Sequence, residues 1–178
     1  MITYKLNYEE RKYIWHFYSN VIKDYPITGI GYSLEMWQYP DFWERYLNKL
    51  PKTPVSDALK TTKLDPHNMF ISIAVHTGII GFIIFMSILV AFANTSIRLI
   101  RKGKTSFVRY WAVCISALFI GYLIKGMAEE GLSNVGIFIF YVVLAMMGIL
   151  NAINENEKQH SELDNFAPSI KHLSKDTP

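Results

Sequence analysis

From Phe70 to Ala93 the chain reads FISIAVHTGIIGFIIFMSILVAFA, an apolar run broken mainly by His76 and Thr77. A bilayer core is crossed by about 20 such residues in helical form, so this run is long enough to span. Two further apolar runs follow, Val108 to Ile124 and Val135 to Leu150, each completed by its flanks. Three runs in series, with almost no charge inside them, predict three transmembrane helices. Residues 1–66 are mixed in character and rich in aromatics. The fold class is therefore all-α: a three-span membrane region over 67–150, preceded by a helical and loop segment over 1–66. The region after Asn151 is polar, slightly acidic and carries Pro168 and Pro178, so 151–178 is expected to be a mostly disordered tail.

Charge sets an orientation. Arg98, Arg101, Lys102, Lys104 and Arg109 lie between the first two runs with no acid among them. Basic juxtamembrane loops stay in the cytoplasm. Residues 1–66 and the 125–134 turn are then extracytoplasmic, and the tail is cytoplasmic. The N-terminal MITYKLNYEERKYIW has neither a signal core nor a preceding span to carry it across a membrane. Earlier spans are therefore expected to belong to the same protein. A net charge of +3, with no single basic stripe, excludes nucleic acid as a partner class. The single cysteine, Cys114, excludes a disulfide framework within the chain.

Within residues 8–25, apolar side chains recur at Ile14, Phe17, Tyr18, Val21, Ile22 and Tyr25, the stripe of an amphipathic helix. Arg11 continues that stripe one turn earlier. It either snorkels from the helix end or meets an anion. Pro26 should stop this helix, and Gly29 and Gly31 supply a tight turn. A second, short helix is predicted from Pro40, with Phe42, Trp43, Tyr46, Leu47 and Leu50 along its apolar side. Tyr32, Trp37, Tyr39, Trp43 and Tyr46 suit the membrane–water boundary, and also the stacking of sugars.

Asp65-Pro66-His67-Asn68 should open the first span, with Asp65 as the cap and Pro66 in the first turn. His67 then lies at the outer membrane surface, where the positive helix end disfavours imidazolium. A neutral imidazole there can act as a general base, and the same helix end favours phosphate or pyrophosphate. The competing reading is a boundary histidine that hydrates the helix entry. His76 falls on the opposite side of that helix from His67, and His16 has no ligand partner at suitable spacing, so no metal is expected. Lys125, Glu129 and Glu130 read as solvated or snorkelling charges, with Lys125 a secondary candidate for an anionic lipid. Gly78 and Gly81 read as sites of close helix packing.

Taken together, RKYIWHFYSNVIKDYPITGIGY and DPHNMFISIAVHTGIIGFIIF resemble the C-terminal half of the O-antigen ligase and polymerase superfamily. The matching features are Arg11 ahead of Trp15, the turn Pro26 to Gly31, the pair His67-Asn68, and Gly78 through Gly81. The resemblance covers about residues 8–150. It implies cofactor-free, metal-independent transfer of a glycan from undecaprenyl pyrophosphate at the periplasmic face of the bacterial inner membrane. His67 would activate the acceptor hydroxyl and Arg11 would bind the donor pyrophosphate, with Asn68 and Lys125 as substrate-binding residues. The implied partners are a lipid-linked glycan donor, a glycolipid acceptor such as lipid A-core, and membrane lipids. Two alternatives stand beside the ligase: a polymerase of the same superfamily, and a non-catalytic membrane fragment. The family often places Glu where His76 stands, and its members have many more spans.

Overall fold

The structure is a computed structural model, and it describes residues 8–31, 40–52, 66–128 and 134–173. The regular structure there is entirely helical: α1 (Tyr8–Asp24), α2 (Pro40–Leu47), α3 (Met69–Lys102), α4 (Ser106–Ala128) and α5 (Asn134–Leu173). Three of these, α3 to α5, are long and apolar enough to cross a membrane. In their most apolar windows only 17%, 28% and 17% of the residues are buried by the protein itself. Apolar surface left open on that scale needs lipid as its solvent. Three of their hydroxyls are closed internally, as a low-dielectric setting favours. Thr77, Ser87 and Ser116 each donate to the carbonyl four residues back, at 2.7, 2.8 and 2.6 Å.

The chain divides into two compact units, residues 1–88 with 122–137 and residues 89–121 with 138–178. In the first unit the stripe of α1 does what its period requires. Ile14, Phe17, Tyr18 and Val21 are all buried, and they pack with Trp43, Tyr46, Leu47 and Leu50 of α2 and its flank. Phe17 is the hub. Its ring centroid lies 4.5 Å from Trp43, 5.2 Å from Tyr18 and 6.1 Å from Tyr46. Tyr25, the last position of the predicted stripe, is exposed because the helix has already ended at Asp24.

The turn after α1 is locked into α3. Gly78 takes φ 63° and ψ −163°, a conformation inside α3 that breaks its hydrogen-bond ladder. An unbroken helix would pair Ile79 N–H with the Val75 carbonyl and Ile80 N–H with that of His76. All four groups instead bond to the turn. Ile30 N–H donates to Val75 O and Gly31 N–H to His76 O, both at 2.9 Å. Ile79 N–H donates to Pro26 O at 2.8 Å and Ile80 N–H to Ile27 O at 3.4 Å. Backbones approach this closely only because both contact points are glycine. A Cβ on Gly78 would overlap the Ile27 and Gly29 backbone, and one on Gly29 would overlap Val75, His76 and Gly78. The Gly78–Gly81 motif is therefore a helix break with a docked turn, which corrects the expectation of simple helix packing. Gly81 leaves room for the Thr77 side chain.

In the second unit Phe92 stacks on Phe119, with centroids 3.9 Å apart and an interplanar angle of 27°. Leu99, Val108, Ala112, Ile115, Val143 and Met147 are buried around the same helices. The expected disorder after Asn151 is also corrected, because α5 continues to Leu173. Extending a formed helix fixes one residue per added bond, whereas starting one is costly, so a polar segment follows the span as helix. Its first turns are anchored to the basic loop. Arg98 donates to Asn151 Oδ1 at 2.7 Å and lies 3.8 Å from Glu155, and Lys104 N–H donates to the buried Asn154 Oδ1 at 2.9 Å.

Candidate active site at the entry to the first span

The first unit brings the Arg11 helix to the His67 segment through one long-range bond. Trp15 Nε1–H donates to the Pro66 carbonyl at 3.0 Å, across 51 positions of sequence. Arg11 is one turn before Trp15 on α1, about 6 Å along the axis and on the same side. It is half-buried, as is His67.

The helix entry differs from the expected one. Asn68 is the cap: its Oδ1 accepts from Phe70 N–H at 2.9 Å and from Ile71 N–H at 3.2 Å. Its carbonyl takes the first helical bond, from Ser72 N–H at 3.0 Å. The helix starts at Met69, so His67 lies just outside the first turn rather than within it. Asp65, the expected cap, lies outside the described residues. An asparagine oxygen reaches donors two and three residues on as readily as an aspartate does, and it satisfies the same orphan N–H groups. His67 itself has φ 46°, the one non-glycine among the described residues with a positive φ. L-residues seldom adopt this conformation, and it is worth attention wherever a side chain is offered to chemistry.

Gly126 closes the site from α4. A Cβ there would come within 3.1 Å of the flexible Met69 side chain, so the end of α4 packs closely against the start of α3. Lys125, the neighbouring residue, is exposed. Glu129 and Glu130 lie outside the described residues. His76 is half-buried, and its Nδ1–H donates to the Ser72 carbonyl at 2.7 Å. Among the described residues no three His, Cys, Asp or Glu side chains come together as a metal site would require.

One polar cluster fixes α1 to the α2 region. Asp24 Oδ2 accepts from Lys49 Nζ at 2.8 Å and from the Tyr46 hydroxyl at 2.9 Å. The Lys49 bond, then the Tyr46 bond, holds the Asp24 carboxyl below its ordinary range. Burial, then the bond to Asp24, pushes the Tyr46 phenol up. Nothing in the local sequence marks this cluster, because its members lie 22 and 25 positions from Asp24. The Trp15–Pro66 bond is hidden for the same reason. Asn68 two residues ahead of Phe70 was the available signal for the true cap.

No curated protein and no solved structure matches the chain. Arg11, Trp15, the 26–31 turn, the His67-Asn68 entry and the Gly78 break all lie in residues 5–86, which match the family model described as O-antigen ligase, consistent with an O-antigen ligase superfamily region.

Proposed function

We propose that this region catalyses glycan transfer from undecaprenyl pyrophosphate to an acceptor hydroxyl, with lipid A-core the favoured acceptor. The observation that supports it is the Trp15–Pro66 bond, which ties the arginine-bearing helix to the strained histidine. In this reading His67 takes the proton of the acceptor hydroxyl as its oxygen attacks the anomeric carbon. The bond from that carbon to the pyrophosphate oxygen breaks, and its electron pair leaves with the diphosphate. The Arg11 guanidinium, planar and permanently charged, stabilises the departing anion through paired N–H bonds. Asn68 presents the helix entry to substrate, and Lys125 contributes positive charge toward an anionic lipid headgroup. The reaction takes place on the periplasmic side of the bacterial inner membrane. A lipid-linked repeat as acceptor would make the same chemistry a polymerase, so the transfer assay carries both acceptors.

Sidedness is the cheapest way to sink this reading. With Cys114→Ala removing the natural thiol, Lys52→Cys and Lys104→Cys each place one exposed cysteine on opposite sides of the proposed membrane. An impermeant maleimide added to intact spheroplasts should label Lys52→Cys and leave Lys104→Cys untouched until lysis. The reverse pattern would put His67 where no periplasmic donor reaches it. The anion role predicts a second effect. Arg11→Lys keeps the charge and loses the fork. Transfer should fall about tenfold, the equivalent of one charged hydrogen bond, and turnover by purified complete gene product measures it.

A further inference from the structure

We infer that Trp15 is a positioning residue that sets the direction in which His67 presents its imidazole. This rests on the functional reading of His67 given above. The Pro66 carbonyl and the His67 N–H belong to one planar peptide unit. A donor fixed on that carbonyl therefore fixes the plane from which the His67 φ is measured. Trp15 supplies such a donor, its indole N–H at 3.0 Å, from a helix whose apolar stripe is packed into the aromatic core.

The other flank of His67 is pinned independently. Asn68 is held by its two cap bonds to Phe70 and Ile71. Between these anchors His67 sits at φ 46°, a conformation that a free L-residue would leave for the ordinary negative range. Pro66 is buried, so without the indole its carbonyl would be left unpaired and the peptide would rotate toward another donor. The donor helix is itself held in register: the turn following α1 carries the four backbone bonds into the Gly78 break. Trp15 acts through the Pro66 peptide.

The test uses the complete gene product in membranes and after purification. Trp15→Phe keeps an aromatic ring and removes the N–H. Replacement by benzothienylalanine, which matches the indole in shape and lacks only the donor, covers the case in which the phenylalanine protein does not accumulate. Two readouts are taken. The kcat for transfer should fall between about 10- and 100-fold, the range produced by small misplacement of a reacting group, with the donor KM within about twofold. The rate at which diethyl pyrocarbonate modifies His67, followed by peptide mass spectrometry, should change severalfold relative to the exposed His160 of the same molecule. Unchanged His67 reactivity overturns the inference, whether or not kcat falls, because Trp15 would then act elsewhere. Changed reactivity with unchanged kcat also overturns it as a statement about the reaction. If His67→Ala leaves transfer intact, the functional reading fails on its own evidence, and the modification rate still decides whether Trp15 holds His67.

Discussion

Replacing His67 by alanine in the complete gene product should lower glycan transfer by about 100-fold or more, the range in which a positioned general base contributes. Alanine removes the imidazole and leaves the Pro66 and Asn68 anchors in place, but it must also adopt the backbone conformation at φ 46°. The natural histidine meets the same steric cost, so the difference in fold stability should be small. His67→Gly separates the two effects. Glycine accepts a positive φ freely, so this variant should be at least as stable as the parent and equally inactive. Transfer is measured at matched membrane abundance with a lipid-linked donor and each acceptor class. Glycine at 67 with transfer near the parental rate would remove the imidazole from the chemistry.

The second large effect belongs to the backbone. Gly78→Ala should cost about 3 kcal/mol or more of stability, and Gly29→Ala a comparable amount. At φ 63° and ψ −163° residue 78 occupies a region reached almost solely by glycine. Its added methyl would also overlap the Ile27 carbonyl and the Gly29 amide, which are backbone atoms and cannot rotate aside as a side chain could. The turn must then leave the break. Val75, His76, Ile79 and Ile80 lose their partners together, and α3 either straightens or frays. Thermal unfolding of detergent-solubilised protein, followed by tryptophan fluorescence, to which Trp15 and Trp43 of this unit contribute, reads this. Gly148→Ala is the control, since its new methyl meets nothing and alanine favours helix. Equal melting of the Gly78→Ala and Gly148→Ala proteins would show that the turn does not depend on the break.

Periodicity and hydropathy carried much of the architecture. The stripe from Ile14 to Val21 could be read because a 3.6-residue period is a property of neighbours in sequence. The three spans could be read because lipid demands long apolar runs. What escaped depends on residues far apart. Gly78 and Gly81 have the spacing of a packing motif, and only the arrival of Gly29 distinguishes a docked break from a close crossing. Asp65 and Asn68 are both competent caps, and only the backbone bonds show that Asn68 takes the role. The extension of α5 past Asn151 could not be read from polar composition, because its anchors, Arg98 and Lys104, belong to another helix and the loop after it.

The site residues divide in the same way. Arg11 was visible as a charge in line with a buried stripe, and His67 as an imidazole at a helix entry. Their linkage was not visible. It runs through the indole of Trp15, which as a sequence feature is only one more aromatic in an aromatic-rich segment.

The interruption of α3 also fixes a height. On the far side of Gly78, Ile79, Ile80, Ile83 and Ile84 are 51–58% exposed, whereas Met69, Ser72, Ile73 and Val75 before it are at most 5% exposed. Ile79 to Ile97 alone measures about 28 Å as helix, close to the roughly 30 Å of a hydrocarbon slab. The greasy thickness is thus matched before the chain turns back through the break, and Met69 to Thr77 form a plinth about 13 Å tall that is wrapped by protein. In the proposed orientation His67, just ahead of Met69, would face the side from which a lipid-borne phosphate is presented. A change in bilayer thickness would thus be met by the exposed isoleucines after Gly78 rather than by the protein-wrapped turns before it.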